Sequence, residues 1–194
     1  MVNDNITKAP LQIMYLSVSL LSSFCVFNNC YLLPCCNIIA VMCLIDFYFV
    51  KNKDMIFHHI LSLCMVHYIN INNNEHTNKL ISIILKTEIS TIFLTTNNLL
   101  KCKTNYLKNI NKILFVLTFM YYRIYNYLYY LILNKNSNYI LFIYSKNNFE
   151  ICKVYISIYG LFILNLYWYY LILNILFQSW KKSIKSSNET KNME

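Results

Sequence analysis

Two adjacent histidines, His58 and His59, stand near the start of the apolar stretch "MIFHHILSLCMVHYI" at residues 55–69, and a carboxylate, Asp46, stands near the end of the apolar stretch before it. Ionisable side chains inside runs about long enough to cross a bilayer are expensive to bury, and they mark paired or functional sites. An imidazole oriented by a carboxylate can act as a general base toward an amine or hydroxyl, or carry an acyl group transiently. It can equally line a polar pocket. The spacing brings the three residues together, because only the tight turn "KNKD" separates the two runs. At about 1.5 Å of rise per residue, all three lie about 5 to 7 Å below the same membrane surface, on neighbouring antiparallel helices. Asp46 is therefore expected to hydrogen-bond a histidine and fix its tautomer.

Further polar groups lie deeper. In "LKTEISTIFLTTNNLL", Glu88, Thr91, Thr95 and Asn98 form one helical stripe, and Lys86, Ser90 and Asn97 form another on the opposite side. A helix polar on two faces belongs inside a bundle, away from lipid. The next apolar run carries Arg123 at a similar central depth, with Asn126, Tyr127 and Tyr130 on its face. A lone arginine there is costly, so Arg123 is expected to meet Glu88. Polar residues can simply join helices, at about 1 kcal/mol each, but five ionisable groups on four helices exceed that need. The reading is a polar pocket open toward the cytosolic leaflet, lined by Asp46, His58, His59, Glu88, Thr91, Asn97, Arg123 and Asn126.

Other chemistries find no support. Four histidines, including His67 and His76, are too few for the repeated clusters of a membrane di-iron centre, and no metal site is expected. With Gly160 as the single glycine there is no Gly-rich phosphate cradle. Eight cysteines include no C-x-x-C pair and read as small buried hydrophobes, with Cys102 a palmitoylation candidate at a span end. No resident cofactor is expected.

The elements that must position these groups are membrane helices. The chain has 194 residues, 57% hydrophobic and 13% charged, outside the range of a soluble domain. Six apolar runs qualify as spans, at residues 11–27, 32–50, 55–70, 80–100, 112–133 and 154–177. The fold class is all-α, a polytopic transmembrane bundle of about six spans. Residues 1–10 form a short N-terminal segment, 11–180 the membrane domain and 181–194 a basic tail. "YILFIY" at 139–144 is too short to span and reads as an interfacial piece of the connector 134–153. The formal charge of +9 resides in connectors and tail, with no basic stretch interleaved with aromatics, so nucleic acid is not an expected partner. Eleven of the seventeen basic residues fall on the side shared by both termini and four on the other, which places both termini in the cytosol. The sequons at Asn5 and Asn188 are then expected to stay unmodified, and the first run is expected to be retained, since no A-x-A type cleavage site follows it.

The order "IDFYFVKNKDMIFHHILSL", "LKTEISTIFLTTNNLL", "FMYYRIYNY", "LNLYWYYLI" resembles the TLC-domain family of multispanning membrane proteins over about residues 38–182. That family includes the ceramide synthases, the translocating-chain-associating membrane protein and small proteins linked to membrane lipid composition. The resemblance matches the family's aspartate to Asp46 and its histidine pair to His58 and His59. It matches an E-x-S-T-like element to Glu88, Ser90 and Thr91 with Asn97 following, a Phe and Arg to Phe119 and Arg123, and the last helix's Asn and Trp to Asn165 and Trp168. The second element of the ceramide synthases, a histidine and two aspartates on the next span, is missing from "ILKTEIST", and residues 1–30 carry none of the motifs. The resemblance thus implies a non-synthase branch in the endoplasmic reticulum that binds a sphingolipid, a fatty acyl chain or a phospholipid and serves lipid homeostasis. The alternatives are a lipid acyltransferase, with His58, His59 and Asp46 catalytic and acyl-CoA as co-substrate, and a transporter.

Overall fold

The computed structural model describes residues 8–49, 52–72, 75–99, 105–134 and 148–191. They form six helices: α1 (Lys8–Phe27), α2 (Leu32–Phe49), α3 (Lys53–Ile71), α4 (Glu75–Leu99), α5 (Asn105–Thr118) and α6 (Asn148–Lys191). Two wider π-helical stretches, Phe119–Asn126 and Leu128–Leu133, carry α5 onward. No strand occurs among the described residues. The chain is an all-helical bundle.

Polarity decides which helices lie inside. Pro10–Phe27, Leu32–Phe49 and Asn148–Lys181 are long and apolar enough to cross a membrane by length and composition. The remaining helices hold His58, His59, Lys86, Glu88 and Arg123, which lower their mean hydropathy, and they take protein neighbours in return. α4 packs against α1, α2, α5 and the first π stretch, and α3 packs between α2 and α6. The outward faces carry large apolar side chains such as Phe24, Val41, Leu44, Ile163 and Ile175, all strongly exposed, as a lipid-facing surface requires.

Local signals explain the helix ends. α1 stops at Asn29, which takes the left-handed conformation (φ 50°), while Cys30 N–H donates to the Cys25 carbonyl at 3.0 Å. Asparagine is one of the few residues besides glycine that adopts this cap at low cost. Tyr31 follows with φ 50° as well, and Pro34 falls in the first turn of α2, where its missing N–H costs nothing. α3 begins after the extended Asn52 with Asp54 in its first turn, favourable to the helix dipole.

The core joins Leu61, Met65, Tyr68 and Ile69 of α3 to Val154, Ile158 and Leu161 of α6. Gly160 permits this approach. A Cβ there would lie 2.8 Å from Leu61 Cδ1, inside van der Waals contact.

Three elements exceed their apolar runs. α4 starts at Glu75 and α5 at Asn105, and α6 starts at Asn148 and continues to Lys191, so residues 148–153, expected in a connector, are helical. Hydropathy marks only the part of a helix that lipid covers, whereas the hydrogen-bonded spiral continues into polar flanks. The π stretches had no compositional signal, because i→i+5 bonding is imposed by packing. "YILFIY" and Cys102 lie outside the described residues.

Candidate functional site

Asp46, three residues before the end of α2, and His59, in the second turn of α3, face each other across the helix pair. His59 Nε2 lies 3.2 Å from Asp46 Oδ2, and both side chains are buried. The contact is off the axis of a hydrogen bond, and both ring nitrogens of His59 and Asp46 Oδ1 lack a protein hydrogen-bond partner. The expected hydrogen bond between Asp46 and a histidine does not form, although the two residues do approach closely, with His59 as the histidine involved. Phe47 sets its ring edge-on to His59 at 5.9 Å.

His58 turns the other way. Its ring lies 5.1 Å from Trp168 of α6 and 5.5 Å from His59, and its Nδ1 is buried without a partner. Trp168 is itself anchored, donating its indole N–H to Asp54 Oδ2 at 2.9 Å. Sequence reasoning gave Trp168 no partner and passed over Asp54. The signal was available, since a tryptophan at a membrane boundary seeks an acceptor for its N–H.

Arg123, only 8% exposed, reaches α4 from the first π stretch. Its Nε donates to Ser90 Oγ at 2.8 Å and its Nη2 to Thr91 Oγ1 at 2.9 Å. Phe119, one turn earlier, lies beneath the guanidinium with its centroid 5.4 Å away and stacks in parallel on Tyr169 of α6 at 6.3 Å. Cation–π contact of this kind is worth more when water is excluded. Arg123 stands within electrostatic range of His58 and Glu88, which ties the groups on α3, α4 and the π stretch into one cluster.

The expected Arg123–Glu88 contact pair does not form. Glu88 instead accepts a 3.4 Å hydrogen bond from Ser19 of α1. Successive helix residues turn by about 100°, so Ser90 points nearly opposite to Glu88. When Ser90 meets Arg123, Glu88 is aimed at α1. The division into two opposed stripes also fails at this level, because Ser90 and Thr91, assigned to different stripes, share the same guanidinium.

The remaining residues spread along the bundle. Asn126 is buried on the π stretch, one turn from Arg123. Asn97 lies about 10 Å along α4 from Ser90, and its Oδ1 is buried without a partner. Tyr127, buried with an unpartnered hydroxyl, and Asn165 of α6, whose Oδ1 is likewise unpartnered, join the polar interior. Tyr130, expected beside them, is exposed. Ser19, Asp54, Tyr169 and Phe47 were not anticipated as neighbours of the site.

Buried polar atoms are almost always hydrogen-bonded, so exceptions mark positions of interest. Here Asp46 Oδ1, His58 Nδ1, both nitrogens of His59, Asn97 Oδ1, Tyr127 Oη and Asn165 Oδ1 are buried without a hydrogen-bond partner in the protein. The set is rich in acceptors and suits a ligand that donates hydrogen bonds, while Arg123 supplies the positive charge.

Residues 7–174 match the TLC domain. No curated protein and no solved structure gives a match. The match begins ahead of α1, a region in which the motifs showed no correspondence, and α1 contributes Ser19 to Glu88. Covering most of the 194 residues, and joined to a helical bundle with apolar helices of spanning length, it identifies the chain as an integral membrane protein belonging to the TLC-domain family.

Proposed function

We propose that this protein binds a membrane lipid by its headgroup in the polar interior between α2, α3, α4, the first π stretch and α6, and so serves membrane lipid homeostasis. One observation carries the reading. Arg123 is buried, its Nε and Nη2 donate to the neutral hydroxyls of Ser90 and Thr91, and among the described residues it makes no ion pair. A guanidinium held in that way keeps its charge and attracts a phosphate or carboxylate. Asp46 Oδ1, buried on α2 without a hydrogen-bond partner in the protein, adds an acceptor for hydroxyl or amine donors. Sphingolipids, phospholipids and fatty acids present such groups. The site belongs to a bundle whose termini face the cytosol, in the endoplasmic reticulum, on the strength of lysine placement and family resemblance.

The test is to purify the protein in mild detergent and identify co-purifying lipids by mass spectrometry. Arg123→Ala should reduce lipid retention at least as much as His58→Ala or His59→Ala. Unchanged lipid content in folded Arg123→Ala protein refutes the reading.

A second reading, acyl transfer, draws on the close approach of His59 to Asp46. In it His59 is the general base toward an amine or hydroxyl, Asp46 orients it, His58 assists, and acyl-CoA enters from the cytosolic side. Purified protein offered mixed acyl-CoAs with sphingoid or lysolipid acceptors decides between the readings. Product that disappears in His59→Ala favours the enzyme, and no product favours the binder.

A further inference from the structure

The end of α1 and the start of α2 bring two sulfurs together. Cys25 Sγ and Cys35 Sγ are 3.0 Å apart, and both residues are buried at 2% and 3% exposure. Their backbones are held by the turn between them: the Cys25 carbonyl accepts from Cys30 N–H at 3.0 Å, and Cys35 N–H donates to the Tyr31 carbonyl at 3.1 Å. The left-handed Asn29 and Tyr31 fix the reversal of the chain. A disulfide needs sulfurs about 2.05 Å apart, so a closure of about 1 Å separates the pair from a bond. Cys30, half-exposed in the same turn, and the buried Cys36 are the competing thiols.

We infer that Cys25 and Cys35 are a dithiol that closes to a disulfide across the α1–α2 turn, a modification site that staples the first hairpin of the bundle. The oxidant is a disulfide, RSSR, carried by a small molecule or a protein. One thiolate of the pair attacks RSSR, forming a mixed disulfide and releasing RSH. The second thiolate then attacks the cysteine sulfur of the mixed disulfide and expels RS⁻, which takes up a proton as the second RSH, so two protons and two electrons leave the pair and two RSH are formed. The product loop closes between neighbouring helices, where the turn already restricts the chain. The bond locks the end of α1, the helix that delivers Ser19 to Glu88.

The purified protein is equilibrated in glutathione buffers from fully reduced to fully oxidised, quenched in acid, denatured, alkylated, digested and read by mass spectrometry. The expected result is a Cys25–Cys35 linked species, two hydrogens lighter, that accumulates ahead of any other pair and also forms in Cys30→Ser protein. Oxidised wild type should melt higher than reduced wild type, and Cys35→Ser should lose this difference. If Cys35→Ser does not fold, the Cys30→Ser protein carries the test alone. The inference is overturned if Cys25 and Cys35 remain fully alkylated in the oxidised buffer, or if Cys30 or Cys36 captures the bond.

Discussion

Trp168 of α6 donates its indole N–H to Asp54 at the start of α3, across 2.9 Å, while its ring lies 5.1 Å from His58. One side chain thus clamps two helices and sets a wall for an imidazole. The acceptor lies in the first turn of α3, where a carboxylate is favoured by the helix dipole.

Replacing Trp168 with Phe keeps an aromatic wall but removes the donor. Stability in detergent should fall by about 1 kcal/mol, below the full value of a charged hydrogen bond because Asp54 is half-exposed. Asp54→Asn should cost less, since the amide still offers an acceptor. Thermal unfolding followed by intrinsic fluorescence or calorimetry measures both.

Ser90→Ala removes the acceptor of Arg123 Nε inside the bundle. The orphaned donor should cost about 1 to 3 kcal/mol. Arg123→Lys keeps the charge but cannot fork to both hydroxyls, so it should lose stability as well and retain less lipid than wild type. Unfolding midpoints with lipid quantification on the same preparations separate the two effects.

Gly160→Ala sets a methyl 2.8 Å from Leu61 Cδ1. Leu61 is buried, so its tip has little room to move, and the substitution should destabilise by about 1 to 3 kcal/mol. Adding Leu61→Val should recover part of that loss. A double-mutant cycle on unfolding free energies gives the coupling, and additivity would mean the two helices do not meet here.

Tyr31 holds a left-handed backbone at an exposed position, a conformation that costs a residue with a Cβ about 1 to 2 kcal/mol. Tyr31→Gly should therefore be neutral or stabilising by up to about 1 kcal/mol, whereas Tyr31→Val should be destabilising. The comparison is made by unfolding midpoint.

Neither Asn5 nor Asn188 should carry a glycan if both termini face the cytosol. Endoglycosidase treatment of protein from eukaryotic membranes should leave its mobility unchanged. A sequon engineered into 135–147 should be glycosylated, and the opposite pattern reverses the orientation.

Much of this arrangement was legible before any coordinates. The apolar runs gave the helices, and the short connection between α2 and α3 brought Asp46 toward the histidine doublet, because so few residues leave little freedom in pairing. Level along the bundle was legible too, since rise per residue is fixed. Azimuth was not. Arg123 meets α4 within a turn of Glu88, yet an angular offset of two residues turned Glu88 to Ser19 and gave Arg123 to Ser90 and Thr91. The face shared by Arg123, Asn126, Tyr127 and Tyr130 assumed α-helical geometry, and the π stretches that carry them depart from it. Contacts between distant elements, such as Trp168 with Asp54, depend on how α6 packs along α3, which the one glycine hints at but does not determine.

α6 does not end where its apolar window closes. The window ends at Lys181 and the helix continues to Lys191, which at 1.5 Å per residue holds the later residue about 15 Å farther along the same axis. The last stretch is therefore a stiff outrigger and not a tether. A label placed near Lys191 should report a narrow spread of distances from the bilayer, and anything docked there would inherit the tilt of the span that carries Trp168.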